Sequence, residues 1–274
     1  MTWLWFILAG SVAQLIDGAL GMGFGLTSST LLLTLGTSAA LASAAIHLAE
    51  VGTTLASGLS HWHRENVDTK ILWQLAVPGG IGAFLGATFL SSIDLSGGKY
   101  FVSTILLLLG FVLLYRNLFK PEAQVAMTEM LSPVYLRFLG GIGGFVDAAG
   151  GGGWGPIVTP TLLATTKTEP RKVIGTVSAA EFIVALAASA GFLVNLYKLD
   201  VDWAVVGGLV IGGVIMAPIA AKLVGWLAPL LARGLLGDDL RPTARGLVIL
   251  SFYAASVRQR LGLDDPDGAA VRRT

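Results

Sequence analysis

The chain contains no cysteine, which excludes disulfides, thiolate catalysis and cysteine-ligated metal. Charge is scarce as well: 18 Lys and Arg and 17 Asp and Glu make up only 13% of 274 residues, about half the share usual in a soluble domain. With a net charge of +1 and no basic stripe interleaved with aromatics, there is nothing for nucleic acid to bind. No glycine-rich phosphate loop of the P-loop type occurs, so ATP-driven movement by this chain alone is not expected, nor is any cofactor. Alternation of apolar and polar residues is missing too, which argues against a β-barrel. Histidine is limited to three residues. His61 and His63 in "HWHRE" read as an interfacial anchor with Trp62, and no metal site is expected there.

What remains is apolar: 54% of the residues are hydrophobic and the mean hydropathy is +0.75. Runs approaching the roughly 20 residues of a bilayer-crossing helix recur at Ala39–Ser60, Ile71–Leu90, Tyr100–Leu118, Val173–Leu196, Trp203–Leu223 and, shortest, Thr243–Val257. An all-α integral membrane protein follows, its 36 glycines suiting close helix packing through small side chains. The opening "MTWLWFILAG" has neither a basic region nor an evident cleavage site and reads as a retained membrane segment.

The chain also repeats itself. "GSVAQLIDGALGMGFGLTSSTLLL" (Gly10–Leu33) aligns with "GGIGGFVDAAGGGGWGPIVTPTLL" (Gly140–Leu163), placing Asp17 on Asp147 and Gly21, Gly23 and Gly25 on Gly151, Gly153 and Gly155. A one-residue slip then pairs His47 with Ser178 and Glu50 with Glu181, and a further slip pairs Asp68 with Asp202. Two homologous halves, residues 1–118 and 134–257, are expected within one membrane domain. A polar linker, 119–133, joins them and a polar tail, 258–274, follows. Such duplication is a frequent construction of secondary transporters.

Each half opens with an interrupted apolar segment. Trp3–Ile16 and Leu26–Leu35 flank Asp17–Gly25; Val134–Val146 and Ile157–Thr165 flank Asp147–Pro156. Arms of about 9 to 14 residues reach only roughly 14 to 21 Å, short of the ~30 Å hydrocarbon core, which suits a broken or re-entrant pair followed by three crossings. Irregular backbone at that depth survives only against protein or a wet cavity. Re-entrant pairs make the halves inverted, and two thirds of the 18 Lys and Arg then share one face with both termini opposite; full crossings split them almost evenly. The positive-inside rule favours inversion.

Helix arms restarting near Leu26 and Ile157 would aim N–H groups and positive dipole ends into the membrane, as an anion site requires. Gly21, Gly23, Gly25, Thr27, Ser28 and Ser29 in one half, and Gly151, Gly153, Gly155, Thr159 and Thr161 in the other, are the candidate substrate-binding residues. The alternative is that the glycines permit packing and the hydroxyls bond to their own helix. Asp17 and Asp147 either cap N–H groups at the breaks or carry a coupled proton or cation. Glu50 and Glu181 lie in the next apolar segments, with His47 and Ser178 three residues before them on the same helix face. They suit proton exchange or, alternatively, bracing of the breaks, and His47 reads as a local partner because the second half lacks it.

"IDGALGMGFGLTSSTLLL", "HLAEVGTTLASGLSHWHRENVD" and "FVDAAGGGGWGPIVTPTLL" resemble the sulfite exporter TauE/SafE family, also called the 4-toluene sulfonate uptake permeases, from about Ala9 to Phe252. The resemblance implies a multi-pass carrier of sulfur-containing or organic anions such as sulfite, sulfoacetate or organosulfonates in the bacterial inner membrane. Expected partners are a small anionic substrate, the bilayer and a coupled proton or cation; oligomeric state is left open. Two other classes compete with a carrier. An anion channel could use the same dipoles, and an intramembrane enzyme could use His47 and Glu50 as acid and base, though it would need no repeat.

Overall fold

The computed structural model describes residues 2–93, 131–194 and 201–236, with a few helical positions between 100 and 111. Eight helices have their bounds among the described residues: α1 (Thr2–Leu20), α2 (Phe24–Thr34), α3 (Ala39–His63), α4 (Thr69–Ser92), α5 (Pro133–Gly150), α6 (Trp154–Thr165), α7 (Pro170–Leu193) and α8 (Trp203–Leu236). No strand occurs among the described residues. Among the described residues, five segments are long and apolar enough to cross a membrane: Trp3–Leu20, Ala39–His63, Thr69–Ser92, Pro170–Leu193 and Trp203–Gly225. The expected crossing at Thr243–Val257, the tail and most of the linker lie outside the described residues, as does most of Tyr100–Leu118.

Local sequence explains the helix ends. Ser38 caps α3 by accepting the Leu41 N–H, Ser132 caps α5 by accepting that of Tyr135, and Asp68 caps α4 by accepting those of Lys70 and Ile71. Asp202, which the alignment pairs with Asp68, does the same for Ala204 at α8. Pro133 and Pro170 open α5 and α7 at positions where a missing N–H costs nothing.

The interruptions are tighter than the sequence suggested. Helix α1 continues through Asp17 to Leu20, α5 through Asp147 to Gly150, and each break is only three residues long, 21–23 and 151–153. Gly25, Gly155 and Pro156 therefore lie inside α2 and α6, with Pro156 in the first turn, where proline is tolerated. Both breaks are made alike. Gly21 (φ 69°) and Gly151 (φ 72°) adopt the left-handed conformation that L side chains rarely take. Their N–H groups close the preceding helices on the carbonyls of Asp17 and Asp147. The first arms are correspondingly long: 19 and 18 residues, or about 28 Å.

Glycine contacts fix the helix directions. Leu75 and Gly79 of α4 meet Gly140 and Gly144 of α5, while Gly79 and Ala87 of α4 meet Val184 and Gly191 of α7. Thus α4, α5 and α7 run in one sense, and the short α6 returns to the side from which α5 entered. In the first half α1 ends beside the C-terminal part of α3, Gly18 lying against Ser57 and accepting a bond from His61, so α2 returns likewise. Helices α3 and α7 run oppositely: His47 meets Phe192 and Gly58 meets Ala179. The first helix of each half packs on a late helix of the other, α1 on α8 and α5 on α4.

Small residues face inward and large ones outward. On α4, Gly79, Gly82, Ala83, Gly86 and Ala87 are buried, while Trp73, Val77, Ile81 and Leu85, spaced by one turn, are exposed. With no hydrophobic drive between helices in lipid, cohesion rests on such close backbone approach, and the outer stripe suits acyl chains.

Candidate functional site

The two breaks meet. A Cβ on Gly25 would lie 2.7 Å from Gly152 Cα, and one on Gly155 would lie 2.6 Å from Met22 Cα, so only glycine allows this approach. A helix end leaves carbonyls without donors, and the halves satisfy each other's. The Thr159 hydroxyl donates to the Gly21 carbonyl at 2.5 Å, and the Ser29 hydroxyl donates to that of Gly151. Both pairs join the same aligned positions in reciprocal fashion.

The other predicted hydroxyls divide. Thr27 donates to the Gly23 carbonyl and Thr161 to the Ile157 carbonyl, back-bonding within their own helices. Ser28 and Ser178 are buried and their hydroxyls have no hydrogen-bond partner within the protein. Gly23 and Gly153 stand as the N-cap residues of α2 and α6.

Behind the breaks lies a buried cluster drawn from four helices: Asp17 of α1, His47 and Glu50 of α3, Asp147 of α5 and Glu181 of α7, all at most 5% exposed. Its depth follows from position, Glu50 standing near the middle of the 25-residue α3 and Glu181 near the middle of the 24-residue α7. Asp147 Oδ1 accepts the N–H groups of Gly153 (2.7 Å) and Trp154 (2.9 Å), capping α6. Its other oxygen lies 3.1 Å from His47 Nε2. Asp17 lies against the backbone N–H of Phe24 at the start of α2 and against the Glu181 carboxyl. Trp154, fully buried, donates its indole N–H to the Val177 carbonyl and so ties α6 to α7.

His47 is therefore central rather than local. Its Nδ1 donates to the Ser43 carbonyl (2.8 Å), and Nε2 faces Asp147 at 3.1 Å and Glu50 Oε2 at 3.8 Å. With Nδ1 donating, the Nε2 contact needs one proton between imidazole and carboxylate, carried by either. His47, Glu50 and Asp147 offer ligand atoms within 4.8 Å of one another, the imidazole standing against both carboxyls. Carboxyls outnumber the imidazole four to one, and a cluster buried at membrane depth cannot hold them all ionised, since like charges in low dielectric disfavour one another.

Sequence reasoning missed three groups here. Ser43 bridges α3 to α5 by donating to the Ala148 carbonyl. Gln14, fully buried, finds no partner within the protein for either amide atom. His61, read as an interfacial anchor, is buried: Nε2 donates to the Gly18 carbonyl, and Nδ1 accepts from Asn66, whereas Trp62 and His63 are exposed. The signal was register, since position 61 falls on the same face of α3 as Glu50. At the surface, Arg171 Nε lies 2.7 Å from Glu169. That bond holds the Glu169 carboxyl below its ordinary range, and exposure leaves the pair little energetic weight.

The chain is similar to known membrane transporter proteins. The family model described as "Sulfite exporter TauE/SafE" matches residues 6–237. The "Probable membrane transporter protein YtnM" of Bacillus subtilis (strain 168) is 49% identical over 233 residues, covering 85% of this chain and 78% of that protein. The "Probable membrane transporter protein YdhB" of the same organism is 25% identical over 239 residues, covering 85% and 93%. No solved structure matches significantly.

Proposed function

The chain belongs to the sulfite exporter TauE/SafE family and is a multi-pass membrane transporter, not an enzyme; on that premise we propose that it is a proton-coupled carrier of sulfur-containing or organic anions. The supporting observation is the meeting of two helix breaks beside five buried titratable groups. Sulfite is the anion that the family's description names, and the proposed substrate class extends to sulfoacetate and other organosulfonates. Two homologous, inverted halves carry the two breaks, a reading supported by the opposite senses of α3 and α7 and the reciprocal bonds of Ser29 and Thr159.

The α6 N-terminus already binds an oxyanion, the Asp147 carboxylate, which shows what chemistry these N–H groups suit. A substrate anion approaching the same ends meets like charge from those of Asp17, Asp147, Glu50 and Glu181 that are ionised. Protonation of the cluster removes that repulsion, so anion and proton enter together and coupling follows from electrostatics alone. The close approach of Gly25 to Gly152 supports reading this as an occluded arrangement, in which rocking one half against the other opens the site to alternate sides. The Ser29 and Thr159 bonds break and re-form as it does.

Glu50→Gln and Glu181→Gln keep shape and hydrogen bonding while removing the titration. Each is expected to flatten the pH dependence of sulfoacetate or sulfite uptake into proteoliposomes. An unchanged pH profile in both variants would assign the glutamates a bracing role.

A further inference from the structure

Glu50, Thr53, Thr54, Ser57 and His61 fall on one face of α3, and every one is at most 1% exposed. The matching positions of α7 are Glu181, Val184, Ala185, Ala188 and Phe192, also buried. Below the glutamate these matched positions are polar for three turns on α3 and apolar on α7, whose buried Ser189 falls outside the set. Symmetric packing does not require that difference.

Thr54 satisfies itself by donating to the Glu50 carbonyl at 2.5 Å. Thr53 and Ser57 do not: neither hydroxyl has a partner within the protein, nor has either amide atom of Gln14, Glu50 Oε2 or Asp17 Oδ2. Gln14 and Ser57 flank Gly18, whose Cβ would lie 3.3 Å from Gln14 Nε2 and 3.6 Å from Ser57 Oγ. Buried polar groups are hydrogen-bonded as a rule, to protein or to water. A row of them with no protein partner, leading from the carboxyl cluster to His61, has the polar groups that water needs to bind.

We propose that Gln14, Thr53 and Ser57 line a water-filled proton path joining the carboxyl cluster to one membrane face only, that of the α3–α4 turn carrying Arg64 and Lys70. It rests on the proton-coupled reading above. The charge pattern makes that face cytoplasmic. Val184, Ala185, Ala188 and Phe192 offer no side-chain donor or acceptor at the matching positions of α7, although Ser189, next to Ala188, carries a buried hydroxyl. Titratable groups facing the path are Asp17 and Glu50 at its inner end, with Asp147 and Glu181 behind them, and His61 at its outer end. Among the α8 side chains described, those up to Gly225, Lys222 is the one titratable group, and it is exposed.

The native chain has no cysteine, so single replacements report accessibility without background. Thr53→Cys, Ser57→Cys, Ala185→Cys and Ala188→Cys would be made in the full chain in membrane vesicles of known orientation and treated with a charged, membrane-impermeant methanethiosulfonate. The first two are expected to react about tenfold faster or more than the last two, and from the Arg64 face alone, because thiol reactivity follows access to water. Equal rates across the four, or labelling of the first two from the other face, would overturn the path. Labelling needs no transported anion. A native protein that moves no protons with its anion therefore counts against the coupled reading, whereas a missing labelling contrast counts against the path.

Discussion

Gly152→Val should abolish anion uptake while leaving the amount of protein inserted in the membrane unchanged. Gly152 holds φ at 135°, and a Cβ there would lie 2.7 Å from the Gly25 carbonyl carbon and 2.8 Å from the Leu26 nitrogen. Backbone on both sides leaves no flexible side chain to yield. Strain of this kind costs about 1–3 kcal/mol and overpacking a similar amount; at about 1.4 kcal/mol per decade, uptake falls roughly thirtyfold or more. The substitution adds an apolar side chain, so insertion, which follows segment hydropathy, is spared. Gly225→Val is the control, since a Cβ there meets nothing within 4 Å. Uptake within twofold of native in Gly152→Val would contradict close approach of the breaks as a requirement of transport.

The second large effect is expected at Asp147. Asp147→Ala strips two N–H groups of their acceptor and leaves His47 Nε2 without its nearest partner. Breaking a buried pair by removing one member costs about 3–5 kcal/mol, which should show as a large drop in the detergent melting temperature together with loss of transport. Asp17→Ala should cost clearly less, because one Asp17 oxygen has no partner within the protein and no imidazole bridges it. Asp147→Asn, which keeps an oxygen for the two N–H groups, should recover part of the lost stability but not the pH dependence. Equal melting temperatures for Asp17→Ala and Asp147→Ala would show that the capping and the imidazole contact have no weight.

Much of this was readable in the chain. Two glycine-rich interruptions at matched positions, with an aspartate before each and a glutamate in the following helix, were visible because the sequence states them twice. Helix lengths at the breaks were not, since glycine and proline mark where a helix can end without saying which of several ends it. Gly18 and Gly25 turned out to be helical while Gly21 and Gly23 were not, a choice made by tertiary contacts.

The joining of the halves was hidden altogether. His47 reaches Asp147 across 100 residues, Ser29 reaches Gly151 across 122 and Thr159 reaches Gly21 across 138, and a single sequence has no term for such pairs. The hydroxyls after each break were read as substrate ligands or as self-bonding. Two of them instead bond the opposite break, an option that exists only once the halves are brought together. His47 looked incidental because the second half has serine there, yet an imidazole shared between the two halves needs only one copy.

The most direct test of proton-coupled carriage is anion flux into proteoliposomes of the native protein. The probe is whichever of sulfite, sulfate, sulfoacetate, taurine and an aryl sulfonate most raises the melting temperature, since a binder stabilises the folded state. With the outside made more acidic than the inside, that anion should accumulate above its external concentration, the lumen should acidify as it enters, and entry should quicken when unlabelled anion is placed inside. Flux indifferent to the pH gradient and unaffected by internal anion would contradict the carrier and leave an open pore.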